Sequence, residues 1–309
     1  MTWKTEEAYA KINLYLDIER KREDGYHDLV TLMQIVSLSD KVTVSLNRTK
    51  EITLKMINSP IDIPQDENLA YRAAQKFYDN LDFEAIGRAD ITIEKHIPCA
   101  SGLSGGSADA AAVLRILNEL YGKPFMLDDL CKLGAELGAD VPFNIKGGVQ
   151  MCQGIGEKML ETRGLRHYSL MIALGNDSKL STAEQYKKLD EIFDDFKGHQ
   201  ISESCGETFS AYSVGRCSEA FGKMYNIFET LYRDNEEFQK IKKIMYDHSA
   251  YTAMLTGSGP AVYGIFPNSL YAEDAQAELE REGIKTYICY PINITYEIMD
   301  PNIKPWKVN

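Results

Sequence analysis

The sequence is short of positive charge. Its 34 lysines and arginines face 46 aspartates and glutamates, a formal net charge of −12. Phosphate-backbone affinity needs a basic face, so a nucleic-acid partner is not expected. The six cysteines (Cys99, Cys131, Cys152, Cys205, Cys217 and Cys289) form no CxxC unit, which fits reduced thiols better than a disulfide framework or a zinc site. No run approaches the roughly 18 apolar residues that a membrane span needs. The opening "MTWKTEEAYAK" has neither the basic nor the apolar region of a signal peptide. Low-complexity tracts and internal repeats are also missing. Together these gaps lead us to expect a folded, cytoplasmic protein without membrane or nucleic-acid partners, and 309 residues can hold two full cores.

Alternating apolar and polar residues predict strands at "AKINLYLDIE", "KVTVSLN" and "ADITIEKHI". Helical spacing of Leu69, Ala73, Phe77 and Leu81 predicts a helix in "ENLAYRAAQKFYDNL". A second helix carries Val113, Ile116, Leu117 and Leu120 on one face and stops at Gly122, and "DDLCKLGAELG" predicts a third. After a break at "LETRGLRH", a strand restarts at "YSLMIALG" and helices dominate until "YTAMLTGSGPAVYGIF", a strand–turn–strand. A helix in "SLYAEDAQAELEREG" and a strand in "IKTYICYPI" follow. We place a domain boundary near residue 162, giving units 1–162 and 163–309 of mixed class, α/β plus α+β.

Between Ser101 and Ser107 the chain is almost all glycine and serine, and a helix follows at once. Backbone N–H groups of a loop poor in side chains can approach a ligand closely, and the helix N-terminus adds partial positive charge. Such a loop can cradle phosphates; on composition alone it can equally be a plain connector. It is not a Walker A loop, because Ser-Ala-Asp rather than Lys-Ser/Thr follows the last glycine, and G-x-G-x-x-G is absent from the stretch.

The run "PCASGLSGGSADAA" (Pro98 to Ala111) resembles motif two of the GHMP kinases, the superfamily of galactokinase, homoserine kinase, mevalonate kinase and phosphomevalonate kinase. Its G-L-x-G-G-S-x-D-A-A form is similar to the branch that phosphorylates the 2-hydroxyl of 4-diphosphocytidyl-2-C-methyl-D-erythritol in the methylerythritol route to isoprenoids. Residues 8–42, with Lys11, Asn13 and Gly25-Tyr26-His27, resemble the N-terminal signature of that branch. "LGADVPFNIKGGVQMCQGIGEKM", "STAEQYKKLD" and "MLTGSGPAVYGIF" resemble its later segments, in order and at family spacing. The resemblance implies a two-domain GHMP kinase fold, a ribosomal-protein-type N-terminal domain and a ferredoxin-like C-terminal one. It also implies ATP as co-substrate with Mg²⁺, a small-molecule acceptor, and a monomer or homodimer. Other GHMP acceptors, or a non-catalytic nucleotide-binding protein, are the alternatives.

The resemblance assigns proton removal from the acceptor to Asp140, with Lys11 stabilising it and attracting the γ-phosphate. Read alone, Asp140 before Val-Pro could merely turn the chain, and Lys11 in "AYAKINLYL" could face solvent. ATP is expected at Asn68, Leu69, Lys95, Pro98, Cys99, Ala100, Ser101, Gly102, Leu103, Ser104, Gly105, Gly106, Ser107 and Ala108. Of these, Lys95 and the Asn68-Leu69 pair are expected beside the adenine. The cytosine is expected at Tyr26 and His27, with Tyr186 closing its other face, and Asn13 and Thr182 are expected on the polyol and diphosphate. No dedicated metal ligands are expected, so the magnesium arrives with ATP. Three departures from the branch stand out: Ala108 in place of a hydroxyl residue, a proline-free loop after "IALG" near Asn176, and the unassigned tail after Ile298.

Overall fold

The computed structural model describes residues 2–85, 87–175 and 180–296. The loop near Asn176 and the tail after Ile298 therefore lie outside the described residues. The chain runs β1 (Trp3–Lys21), β2 (His27–Leu46), β3 (Thr53–Ile57), α1 (Leu69–Asp79), β4 (Ala89–Glu94), α2 (Gly105–Leu120), α3 (Leu127–Ala135), α4 (Val141–Lys146), β5 (Val149–Gly154) and β6 (Lys158–Glu161). It continues with β7 (Ser169–Leu174), α5 (Thr182–Ile192), α6 (Ser204–Ser213), α7 (Glu236–Asp247), β8 (Thr252–Leu255), β9 (Ala261–Phe266), α8 (Ser269–Arg281) and β10 (Lys285–Cys289).

Strands β1 to β6 make one sheet in the order β3-β4-β2-β5-β6, with β1 paired to β2. The predicted strands at each end of the first signature are much longer than their alternation suggested, and β3, whose Ile52-Thr53-Leu54-Lys55-Met56 also alternates, is not among the predicted strands. β3 pairs with β4 in parallel, while the other pairs in both sheets are antiparallel among the described residues. The second sheet has the order β10-β7-β9-β8. With helices between β7 and β8 and between β9 and β10, this is the β-α-β-β-α-β arrangement of ferredoxin-like domains.

Helix α2 departs from its expected single apolar face. Every residue from Ala108 to Asn118 is buried, including Asp109, Arg115 and Asn118. It is closed in by α1 and the sheet residues Ala8, Val42, Val44, Ile91 and Ile93 on one side and by Val141 and Ile145 of α4 on another. The alanines at 108 and 110–112 permit this close approach, since small side chains let neighbouring backbones come near. A central helix whose N-terminus opens on the glycine loop is thereby fixed on several sides.

Strand β1 joins the two halves. Ala10, Ile12 and Leu14 belong to a core shared with β7 and β9, whereas Leu16 and Ile18 pack with α7 and α8 residues. Leu16 N–H donates to the Tyr225 carbonyl at 2.8 Å, and the Tyr263 hydroxyl donates to the Asn13 carbonyl at 2.9 Å. Register shifts in the β1–β2 ladder fall between Tyr9 and Lys11 and between Asn13 and Tyr15. Such irregularities re-aim side chains, and here they bracket Lys11-Ile12-Asn13, where β1 passes from one half to the other.

Candidate active site

Lys11 and Asn13, two apart on a strand, share a face. Lys11 is only 4% exposed, so the solvent-facing alternative for a strand lysine does not hold. Its Nζ donates to Asn13 Oδ1 at 2.7 Å and lies 3.8 Å from Asp140 Oδ2. Burial pulls the Lys11 ammonium below its ordinary pKa, and the charge of Asp140 opposes that pull. Asn13 is anchored in turn: Oδ1 also accepts from Gly257 N–H at 2.8 Å, and Nδ2 donates one of its two protons to Thr31 Oγ1 at 2.9 Å. It braces Lys11 while still lining the cavity. Asp140 does stand at the N-cap position of α4, as the turn reading allowed, but its side chain makes no capping bond. Its carboxylate is free for the cavity.

That cavity, about 870 Å³, is lined by Lys11, Asn13 and Asp140 at its floor. Ala100, Gly102, Ser104 and Ser107 form one end, and Tyr26, His27, Thr182 and Tyr186 line it as well. All seven residues expected to serve catalysis and acceptor binding thus line one cavity. The glycine loop is held from behind: Lys11 N–H donates to the Leu103 carbonyl at 3.1 Å and Ala261 N–H to the Ser101 carbonyl at 3.2 Å. Ser104 adopts a left-handed backbone, φ 64°, as it turns the chain into α2. Ser101 and Leu103 bury their side chains, so their contribution to a ligand is confined to the backbone.

Two expected nucleotide contacts are placed otherwise. Lys95 does not stand open beside an adenine. Its Nζ is buried between Asp40 and Asp109, at 2.7 Å from the latter. Burial alone would lower its pKa, but the two carboxylates more than offset that and raise it. Gly105 sits directly above, since a Cβ there would come within 3.4 Å of Lys95 Nζ. Lys95 thus supports the loop from below. Ala108 faces the core rather than the loop mouth, so a hydroxyl at this position would not meet a phosphate in this arrangement. Asn68 caps α1 by accepting from Ala70 N–H at 2.9 Å, and Leu69 Cδ1 would be 3.7 Å from a Cβ on Gly106. A smaller hollow of about 430 Å³, walled by Met56, Pro60, Ile61, Ile63 and Asn68, adjoins that cap. Pro98 and Cys99 lead into the loop without lining the main cavity.

At the other end Tyr26 tops a turn closed by Arg22 N–H to the Tyr26 carbonyl, with Gly25 at φ 85°, and is 63% exposed. His27 is buried, and its ring stacks on Tyr186 at 4.7 Å between centroids. His27 covers one face of Tyr186 and Phe228 packs perpendicular to the ring at 5.1 Å, while Tyr186 stays partly exposed on the cavity wall. Thr182 opens α5 and hydrogen-bonds Ser258 at 3.1 Å, joining the helix to the turn after β8.

The sequence reading missed several cavity residues. Asp190 hydrogen-bonds His27 Nε2 at 2.7 Å and pairs with Lys21 at 2.9 Å. It lies inside "STAEQYKKLD", one helical turn after Tyr186, so i/i+4 spacing could have found it. Gly257 and Ser258 sit in the quoted "TGSGP", but nothing in their residue types gives them a role. Thr31 and Phe228 gave no signal.

Comparison with known proteins identifies the family. Residues 68–149 match the family model described as GHMP kinases N terminal domain, and residues 210–285 match GHMP kinases C terminal. The 4-diphosphocytidyl-2-C-methyl-D-erythritol kinase of Caldicellulosiruptor saccharolyticus is 38% identical over 287 residues, covering 91% of this chain and 96% of that one. The kinase of the same name from Clostridium novyi is 39% identical over 268 residues, with coverage of 86% and 92%. A crystal structure of 4-(cytidine 5'-diphospho)-2C-methyl-D-erythritol kinase is similar at TM-score 0.76 and 28% identity, over 93% of this chain and 99% of that one. The chain belongs to the GHMP kinases, and within them to the 4-diphosphocytidyl-2-C-methyl-D-erythritol kinase family.

Proposed function

We propose that the protein transfers the γ-phosphoryl group of ATP to the 2-hydroxyl of 4-diphosphocytidyl-2-C-methyl-D-erythritol, in the cytoplasm. The observation that carries the reading is the buried Lys11 ammonium 3.8 Å from the Asp140 carboxylate, on the floor of a cavity with a glycine loop at one end. Asp140 accepts the hydroxyl proton as the oxygen attacks the γ-phosphorus. The bond to the β–γ bridging oxygen breaks, and ADP leaves with that electron pair. Lys11 pairs with Asp140 and draws the transferring oxygens toward the attack line. Backbone N–H groups at the start of α2 receive the phosphates.

Among the described residues no three His, Cys, Asp or Glu side chains cluster as a metal site. The Ser107 hydroxyl on the cavity wall is a hard oxygen donor of the kind magnesium accepts. An ion carried by the triphosphate neutralises charge on its oxygens. The residues at the far end suit a nucleobase: an exposed aromatic at Tyr26 and a histidine held by Asp190.

The test is ADP release with a panel of acceptors. Turnover is expected with 4-diphosphocytidyl-2-C-methyl-D-erythritol and not with mevalonate, phosphomevalonate or homoserine. Comparable turnover on one of the latter would overturn the acceptor, and ATP binding without turnover on any would overturn the reaction.

A further inference from the structure

Asn144 lies in α4, one helical turn beyond Asp140, and is 4% exposed. Its Nδ2 carries two protons and both are spent. One goes to the Asp140 carbonyl at 2.8 Å and the other to Ser104 Oγ at 3.0 Å. Its Oδ1 is buried without a partner among the described residues. The reverse orientation of the amide would set Oδ1 against the Asp140 carbonyl, acceptor against acceptor, so the donor pair fixes the orientation. Arg115 locks the same residue through its backbone: Nη1 donates to the Asn144 carbonyl at 2.6 Å while Nε donates to Glu6 at 3.0 Å.

The consequence falls on Ser104. A hydroxyl has one proton and two acceptor sites, and here Asn144 fills one of those acceptor sites. No protein acceptor takes the Ser104 proton among the described residues, and Ser104 lines the cavity at the N-terminus of the sixteen-residue α2. Its proton is left for whatever occupies the cavity, and a hydroxyl presented as a donor at a helix N-terminus matches an anionic oxygen.

We infer that Asn144 is a positioning residue that commits the Ser104 hydroxyl to donate to a phosphate oxygen of the nucleotide and ties that loop to Asp140. The inference rests on the kinase reading above. One amide thereby sets the distance between the phosphate-binding loop and the residue that takes the acceptor's proton. A displacement of either element strains a shared bond, so loop and base move together.

The test is a double-mutant cycle read by calorimetry with magnesium and a non-hydrolysable ATP analogue, in the absence of acceptor. Ser104→Ala is expected to weaken binding about tenfold, the worth of one hydrogen bond to a charged group. Asn144→Leu should weaken it by a similar factor, and the double variant should match Ser104→Ala alone, because Asn144 acts through that hydroxyl. Affinity for the cytidine substrate should stay unchanged throughout. Additive losses, unchanged ATP affinity in Asn144→Leu, or equal losses for both ligands would overturn the inference. If Asn144→Leu does not fold, Asn144→Asp replaces it: its carboxylate takes the Ser104 proton, and the same non-additivity is expected. Wild-type protein with no ATP affinity would instead sink the kinase reading itself.

Discussion

Gly102 and Gly257 meet backbone to backbone. A Cβ built on Gly257 would lie 3.0 Å from the Gly102 carbonyl oxygen, and one on Gly102 would lie 2.3 Å from the Thr256 carbonyl oxygen. Both glycines have left-handed backbones, at φ +85° and +56°. The glycine loop of the first half therefore rests on the glycine turn of the second, and Asn13 ties that turn to Lys11.

Gly102→Ala should accordingly be the more damaging of the two changes. The obstruction is a carbonyl in a turn fixed by Asn226, whose Nδ2 donates to the Leu255 and Gly257 carbonyls at 2.8 and 2.9 Å. Backbone strain alone is of order 1–3 kcal/mol, and the clash adds to it. Thermal unfolding should shift down in Gly102→Ala, with a smaller shift in Gly257→Ala, and turnover should fall in both. A Gly102→Ala protein as stable and active as the wild type would refute the interlock.

The state of Lys11 gives a pH dependence. Burial favours its neutral form and places its pKa below 10.5, with Asp140 resisting the drop. As pH rises, the cation that draws the phosphate is lost earlier than for an ordinary lysine, so ATP affinity and turnover should fall on an alkaline limb below 10.5. Removing the opposing charge in Asp140→Asn lowers the Lys11 pKa further, and the limb in ATP binding should move to lower pH. The same variant should lose roughly 10²–10⁴ in turnover, the worth of a positioned base. Lys11→Arg, which stays charged, should bind ATP without that limb. An unmoved limb in Asp140→Asn would separate the two residues.

Much of this was legible in the sequence because it is local. The glycine loop, its helix and the sequence of strand motifs are contiguous patterns, and the resemblance named the residues around them. What could not be read was which way side chains turn. Lys95 looks like a strand lysine until Asp40 and Asp109, 55 and 14 residues away, are folded against it. Ala108 appears to belong to the loop, yet the helix has turned it into the core. The stacking of His27 on Tyr186 joins β2 to α5 across more than 150 residues of chain, and no spacing rule reaches that far.

Gly106 offers a clean test of the cradle. A Cβ there would meet only Leu69 Cδ1, at the ordinary distance of 3.7 Å, whereas one on Gly105 would press on Ile97 at 3.1 Å. Gly106→Val should therefore keep the fold yet obstruct backbone approach to the phosphates. ATP affinity should drop while affinity for the cytidine substrate holds. Unchanged ATP affinity in a folded Gly106→Val protein would mean that the phosphates lie elsewhere.

Base recognition should divide between Tyr26 and the pair His27–Asp190. Tyr26 is exposed on its turn and can lay its ring on a base, worth roughly 1–3 kcal/mol by analogy with other base-stacking sites. Tyr26→Ala should raise KM for the cytidine substrate, by about fivefold or more on that scale, and leave KM for ATP alone. It should do so for any base, because stacking reads area rather than edge pattern. His27 has a different task. Asp190 accepts from its Nε2 at 2.7 Å and is itself held by Lys21 at 2.9 Å, so the ring cannot turn freely, and on the proposed reading its other nitrogen is the one that would meet the base edge. Asp190→Asn leaves the shape intact but no longer favours one arrangement of the imidazole proton. The ratio of kcat/KM for the cytidine substrate over its uridine counterpart should then fall about tenfold, the cost of one buried polar mismatch. Tyr26→Ala should leave that ratio nearly unchanged. If Asp190→Asn instead lowers activity on both substrates by the same factor, His27 supports Tyr186 without reading the base.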